Sequence, residues 1–154
     1  MKIISAFLAS LICVQLYACS KNNNIESGND FNTITNTDTM KLKITVGANV
    51  FTGTLYNNTT VNAFKANLPM SINMTELNGN EKYFDLTVNL PVNASNPETI
   101  QAGDLMLYGA NTLVFFYKTF ATSYSYTRLG RVDNPSGLAT ALGSGNATVR
   151  FELE

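Results

Sequence analysis

Side chains that could form a binding surface are concentrated near residues 115–128. Six of the Phe and Tyr residues of the chain lie within residues 115–126. Tyr rings offer flat apolar area with a polar tip, and Arg offers a planar fork of donors, so such a surface could hold a peptide or a planar ligand. The pattern predicts a ligand-binding surface formed by positions 83–85 and 115–128. Its predicted members are Tyr83, Asp85, Phe115, Tyr117, Tyr124, Tyr126 and Arg128.

The spacing of these residues also fits a purely structural role. Tyr124, Tyr126 and Arg128 follow the two-residue period of a strand and would share one face. A cross-strand ladder of Tyr and Arg side chains above a core of Phe would produce the same sequence. The acids Glu81 and Asp104, together with Asp85, could form an acid–base pair or a Ca²⁺ site across strands, or they could be solvated surface charges.

The absence of His limits the chemistry that remains. The chain has 154 residues, no His and two Cys. This composition excludes Ser-His-Asp and Cys-His triads and zinc sites that depend on His. Solvated surface charge is the expected role of the three acids, so we predict no bound metal and no cofactor. The formal net charge is −1, and no basic cluster is denser than Arg128 with Arg131, so the sequence does not predict a nucleic-acid partner.

The N-terminal residues indicate where the protein is located. Met1 and Lys2 precede an apolar run over 3–17, which is shorter than the ~20 residues of a membrane-spanning helix and typical of a secretory signal. The run ends in Leu16-Tyr-Ala-Cys19, which resembles the bacterial lipoprotein box. The resemblance implies a signal peptide over 1–18 and lipidation of Cys19. We therefore expect the lipid bilayer to be a partner through acylated Cys19, in the bacterial cell envelope and facing the periplasm or the cell surface.

Residues 19–39 have the composition of a flexible tether. They are rich in Asn and Thr, contain few apolar residues and have no periodicity, so they cannot offset their ordering entropy by burial. Within them, Asp38-Thr39-Met40 resembles the O-glycosylation acceptor known from some anaerobic bacteria, which makes Thr39 a candidate for modification. Cys13 would leave with the signal peptide, so we expect no disulfide in the folded domain.

From Met40 onward the sequence predicts a single domain of short strands over 40–154. Alternating apolar residues indicate strands, and Asn/Gly turns separate them. Two segments have helical spacing, a polar N-terminal cap and a Pro or Gly stop, and these predict helices over 59–68 and 135–142. The order is β-β-α-β-β-β-β-β-α-β. Eight mostly antiparallel strands predict a mainly β fold, a closed barrel without free edges, whose ends the two short helices would cap.

Several long runs resemble the bacterial cyclophilin-like domain family. The resemblance covers residues 40–154, and this element order is also the cyclophilin topology. The runs that carry it are Lys43-Ile-Thr-Val-Gly, Phe51-Thr-Gly-Thr-Leu-Tyr, Ala63-Phe-Lys-Ala-Asn-Leu-Pro, Leu77-Asn-Gly-Asn-Glu-Lys-Tyr, Gly103-Asp-Leu-Met-Leu-Tyr-Gly and Phe116-Tyr-Lys-Thr-Phe-Ala-Thr-Ser-Tyr-Ser-Tyr-Thr-Arg-Leu-Gly-Arg.

The resemblance implies a fold without the catalytic residues of true cyclophilins. Those enzymes carry an Arg in a Phe-His-Arg strand after the first helix and a Gln-Gly-Gly at the end of the next strand, and the Arg polarises the prolyl amide. Residues 69–90 contain neither Arg nor Gln. We therefore predict a noncatalytic binding module that recognises a peptide or a small ligand. The alternative is an enzyme with an altered cyclophilin site, with weak peptidyl-prolyl isomerase activity or unknown chemistry.

The resemblance also raises one hypothesis about a protein partner. Relatives of the family are in some cases joined to flavodoxin-like domains, which implies a flavodoxin-like redox partner in the envelope. No pattern in this chain itself binds a flavin.

Overall fold

The computed structural model describes residues 40–154. The predicted signal peptide and tether, with Cys19 and Thr39, lie outside the described residues. Within 40–154, no helix is both long enough and apolar enough to cross a membrane.

Eight antiparallel strands close into a barrel, which confirms the predicted fold class. Around the barrel the order is β1-β10-β3-β4-β7-β6-β9-β2. The barrel strands are β1 (Lys41–Val46), β2 (Asn49–Leu55), β3 (Met70–Leu77), β4 (Glu81–Asp85), β6 (Asp104–Tyr108), β7 (Thr112–Phe116), β9 (Thr127–Val132) and β10 (Ala147–Leu153). Two further short strands, β5 (Thr99–Ile100) and β8 (Phe120–Ala121), pair with each other outside the barrel.

Alternation along the strands decides which side chains fill the barrel. In β1, Leu42, Ile44 and Val46 are buried while the residues between them are partly exposed. Because successive side chains of a strand point to opposite faces, one apolar set per strand faces inward. These inward sets form a continuous apolar core, which includes Leu55, Met74, Leu105, Leu107, Leu113, Phe115, Leu129, Val149 and Phe151.

The first helix, α1 (Thr59–Lys65), begins where the sequence predicts. The Asn58 side chain accepts a hydrogen bond from the Val61 N–H at 2.8 Å, which satisfies one of the free donors of the first turn. Val61 and Phe64 are fully buried in the barrel core. The helix ends three residues before the predicted end at position 68, and a turn leads into Pro69.

The second helix is shorter than predicted. It is α2 (Leu138–Leu142), and it does not begin near Pro135. Gly137 lies in the left-handed region at φ 82° and precedes the first helical residue. This conformation interrupts a right-handed helix, and a turn over 135–138 precedes it, closed by the Leu138 N–H that donates to the Pro135 carbonyl at 3.0 Å. The Asn134 side chain accepts from the Ser136 N–H at 3.1 Å. The helix ends at Gly143, as the sequence predicts.

A second, smaller apolar cluster lies on the outer face of the barrel wall. Its buried members are Ile100, Met106, Val114, Phe116 and Tyr126. The β5–β8 ribbon contributes Ile100 and the partly buried Phe120 to it. The sequence predicts residues 91–102 only as a polar loop, so this outer cluster is a feature that the structure adds.

Candidate functional site

The outer faces of β4 and its neighbours form one wall of a cavity, which we call the outer cavity. Glu81, Tyr83 and Asp85 line it from β4. These residues are two positions apart, so they point to the same face, and Lys82 between them points into the barrel. On β7, Thr112 is paired with Asp85 in the barrel register.

Three further tyrosines complete an aromatic lining. Tyr108 is the last residue of β6, and Tyr124 and Tyr126 come from the segment before β9. The Tyr108 ring centroid is 6.2 Å from that of Tyr124, with the rings nearly perpendicular, and 5.6 Å from that of Tyr126. These are the separations and tilts that aromatic pairs favour. With Tyr83, four phenol rings therefore line the same space.

The outer cavity has a volume of about 440 Å³. This volume falls in the range of small-molecule sites, roughly 300–1,000 Å³. Its remaining lining comes from Leu77 and Asn78 at the β3–β4 turn and from Thr112 and Val114 on β7. The lining therefore combines apolar surface with a few polar groups.

Tyr126 is held in place by a loop and by the outer cluster. Its backbone N–H and C=O form two hydrogen bonds of 3.0 Å with Ser95. Its ring meets that of Phe116 edge to face at 5.5 Å between centroids. Tyr126 is therefore a buried, fixed part of the lining, whereas Tyr124 is 61% exposed at the rim.

The two carboxylates of the outer cavity differ in their partners. Asp85 accepts a hydrogen bond from the Thr112 hydroxyl at 2.7 Å. The Glu81 carboxylate has no hydrogen bond or ion pair with any side chain of residues 40–154, and the residue is only 8% exposed. Burial, and then the negative charge of Glu76, raise the pKa of Glu81 above its usual value.

The structure brings together four of the seven residues predicted to bind a ligand. Tyr83, Asp85, Tyr124 and Tyr126 all line the outer cavity. Phe115, Tyr117 and Arg128 do not belong to the lining. A ligand-binding role for any of the seven remains a prediction.

The other three predicted residues lie in the barrel core or on an exposed strand face. Phe115 is fully buried in the barrel core, where its ring meets that of Phe151 at 6.0 Å between centroids. Tyr117 is also part of the core cluster. Arg128 is exposed on β9 opposite Met106, and its charge lies near Asp104.

The sequence pattern does not identify Glu81 or Tyr108 as part of the binding surface. In the sequence Glu81 stands out only as an acid, although it shares the strand face of Tyr83 by the two-residue period. Tyr108 precedes the Gly109 turn, and an aromatic at the end of a strand gives no indication of the ring that it meets across the sheet. That contact depends on the barrel register, which places β6 between β7 and β9.

Glu81, Asp85 and Asp104 do not come together as an acid–base pair or a Ca²⁺ site. Glu81 and Asp85 are four positions apart on one strand, which separates them by about 13 Å. Asp104 does not line the outer cavity. Its carboxylate lies 3.7 Å from the Arg131 side chain. Within residues 40–154, no group of three or more metal-ligating side chains is close enough to hold a metal ion.

A second polar group, the barrel-end cluster, lies where β3, β4, β7 and β10 meet at one end of the barrel. Its members are Lys82, Glu76, Tyr117, Gly143 and Gly145. Lys82 is fully buried, and its ammonium donates to the Glu76 carboxylate, to the Gly143 carbonyl at 2.8 Å and to the Gly145 carbonyl. The Tyr117 hydroxyl donates to Glu76 at 2.8 Å. Burial and the neighbouring Glu76 raise the pKa of Tyr117 to about 12, so the hydroxyl keeps its proton.

Comparisons with known proteins agree with this architecture. A model of the cyclophilin-like family matches residues 44–152. A hypothetical protein from Archaeoglobus fulgidus, whose structure was determined in solution, is similar with a TM-score of 0.55 at 17% identity, over 73% of this chain and 93% of that one. At this identity the likeness supports the fold alone. A search of curated proteins found no match.

Proposed function

The chain belongs to the cyclophilin-like family, and from this premise we propose that it is a lipid-anchored binding module of the bacterial cell envelope. The barrel holds a peptide or a small-molecule ligand in the outer cavity and catalyses no reaction on it. The outer cavity is the observation that carries the proposal. It combines a volume of about 440 Å³ with four tyrosines from three different segments.

The side chains of the outer cavity suit binding better than catalysis. Its lining contains no Arg or Lys, so it offers no cationic donor to a developing charge on a substrate oxygen. Its two carboxylates lie too far apart to share a proton. Tyr126 is fixed by Ser95 and Phe116, and such a fixed aromatic wall lowers the ordering cost of binding.

We expect the protein not to accelerate prolyl isomerisation. The uncatalysed barrier is ~18–20 kcal/mol, and residues 69–90 contain no Arg that could polarise the prolyl amide. The measurement is a standard proline-peptide isomerisation assay at micromolar protein, with an active isomerase as the positive control. Acceleration well above the uncatalysed rate would contradict the noncatalytic role and support the alternative of an enzyme with an altered site.

A ligand-detected NMR screen of small fragments and short peptides tests the binding role. We expect hits that Tyr124→Ala weakens by about tenfold, because the substitution removes an exposed aromatic wall. Tyr124 is 61% exposed, so its loss should leave the fold intact. Arg128→Ala is the matched control, since Arg128 is exposed on the same side of the barrel but does not line the cavity. A screen without hits, or hits that Tyr124→Ala leaves unchanged, would refute the proposed role.

Anchoring by Cys19 would place the barrel in the envelope. The lipoprotein box and the tether over 19–39 are its support. The tether would separate the barrel from the bilayer by a few nanometres, on the ~5–6 Å × √n scaling of flexible chains. A flavodoxin-like redox partner and modification of Thr39 remain predictions.

A further inference from the structure

The charges of the outer cavity have one sign. Its lining holds two acids, Glu81 and Asp85, and no Lys or Arg. Lys82 lies between the two acids in sequence, but its ammonium is inside the barrel and is occupied by Glu76 and by backbone carbonyls. Arg128 lies outside the lining. The ionisable acids and bases of the lining therefore contribute only negative charge.

Glu81 is the unusual member of this lining. Asp85 is satisfied by the Thr112 hydroxyl, whereas the Glu81 carboxylate has no partner among residues 40–154. The residue is more than nine-tenths buried. Its carboxylate oxygens are not among the solvent-excluded atoms without a partner, so they open to the outer cavity, where a cation or a donor can compensate the charge. The charge that acts on Glu81 from the neighbouring strand is that of Glu76, which has the same sign.

The aromatic lining also favours a positively charged ligand. The face of a phenol ring carries negative electrostatic potential and attracts ammonium and guanidinium groups within about 6 Å. Tyr108 meets Tyr124 nearly at a right angle and Tyr126 at 52°. The rings therefore contact one another at different tilts along the lining, so a compact cation in the cavity can lie against more than one of them.

We propose that the outer cavity binds an organic cation, with the Glu81 carboxylate as its counter-charge and the tyrosine rings as its walls. This inference rests on the proposed binding function and specifies its ligand class. The chemistry is shared by two sources, which are a Lys side chain of a peptide and a small alkylammonium compound. Either would supply the positive charge that the lining lacks.

Matched pairs of probes test the charge preference by calorimetric titration at about pH 7.5. One pair is choline and its uncharged carbon analogue 3,3-dimethylbutanol. The other is Nα-acetyl-lysine methylamide, whose side-chain ammonium is free, and its norleucine counterpart. We expect the cation of at least one pair to bind about tenfold more tightly than its neutral partner. The pair that shows the preference identifies the source of the ligand.

Two variants assign the preference to Glu81. Glu81→Gln keeps the size of the side chain, and we expect it to abolish the preference for the cation while changing the affinity of the neutral analogue by less than about twofold. Glu152→Gln makes the same change on β10, outside the cavity lining, and should leave both affinities unchanged. A preference that survives in Glu81→Gln would overturn the assignment.

The remaining outcomes separate this inference from the proposed function. Equal affinities for cation and neutral analogue, both weakened by Tyr124→Ala, would overturn the cation preference and leave the binding role standing. Failure of all four probes would also overturn the cation inference. The binding role would then be judged by the fragment screen, which does not depend on charge.

Discussion

Replacing Lys82 with Met should destabilise the barrel by about 3 kcal/mol, because breaking a buried ion pair leaves its partners uncompensated. The ammonium of Lys82 satisfies the Glu76 carboxylate and the carbonyls of Gly143 and Gly145. Met fills a similar volume but donates no hydrogen bond. The loss should lower the Tm by roughly 10 °C or more for a domain of this size.

The position of Lys82 explains why its loss affects distant segments. Gly143 and Gly145 belong to the connection between α2 and β10, and they lie more than sixty positions from Lys82. Glu76 also accepts from the Gly79 N–H in the β3–β4 turn at 2.9 Å. The Lys82 side chain therefore links β3 to the segment after α2, and Glu76 links both to the β3–β4 turn. We expect the Gly143 N–H, which donates to the Ala139 carbonyl at 3.1 Å, to lose protection from hydrogen exchange in the variant.

The effect should depend on pH in a defined direction. Burial tends to raise the pKa of Glu76, but the hydrogen bonds from Lys82, Tyr117 and Gly79 outweigh it and hold the pKa below its usual value. A depressed carboxyl pKa contributes stability above the unfolded-state pKa, and this contribution is lost as the pH falls through the folded-state value. The difference in Tm between wild type and Lys82→Met should therefore be larger at about pH 7 than at about pH 3.

Thermal unfolding followed by circular dichroism measures this effect, with Lys43→Met as the matched control. Lys43 is exposed and lies 3.6 Å from Glu152, and surface pairs of this kind contribute about 1 kcal/mol or less. If Lys82→Met fails to fold, Glu76→Gln removes only the charge from the same pair and should still lower the Tm. Equal Tm values for the Lys82→Met and Lys43→Met variants would contradict the role of the cluster.

The barrel was predictable because alternation is a local property. Leu42, Ile44 and Val46 identify the inner face of β1 without reference to any other strand. The start of α2 was not predictable from Asn134 and Pro135, because Gly137 takes a left-handed conformation between them and the helix. The β5–β8 ribbon was missed because its two-residue strands are too short to show a period.

The candidate site was only partly predictable, because strand parity is ambiguous where both faces are apolar. In β7, Val114 and Phe116 face the outer cluster while Leu113 and Phe115 face the barrel core. The sequence alone does not decide which set faces the same side as Tyr83, and the concentration of aromatic residues places Phe115 on the predicted binding surface. Pairing of Tyr83 with Val114 in the barrel decides it.

The partners of the buried Lys82 ammonium could not be predicted from the sequence, for a different reason. The sequence places it on the apolar face of β4, beside Phe84, where a charged residue contradicts the pattern. Its partners come from Glu76 in the preceding strand and from a connection near the C-terminus. A satisfied buried charge depends on such long-range contacts, and a single sequence does not reveal them.

Replacing Cys19 with Ala should abolish incorporation of fatty acid into the protein. The expectation rests on the Leu16-Tyr-Ala-Cys19 box at the end of an apolar run. Acyl chains on the new N-terminal residue hold a protein at the bilayer because each buried CH₂ contributes ~0.8 kcal/mol. One chain gives only marginal binding, whereas two or three give stable attachment. Loss of the thiol that receives the diacylglyceryl group should therefore remove the acyl chains, and Cys19→Ala protein that stays with membranes should do so as a precursor that keeps residues 1–18.

Labelling of growing cells with an alkyne fatty acid, followed by fractionation, measures both effects. Cys13→Ala is the matched control, because Cys13 lies inside the predicted signal peptide and would be removed with it. We expect wild type and Cys13→Ala to carry the label and to sediment with membranes, and Cys19→Ala to carry no label. Label on the Cys19→Ala variant, or wild type found in the soluble fraction, would exclude anchoring at this residue. The fold of residues 40–154 does not include Cys19, so binding in the outer cavity should be the same in both variants.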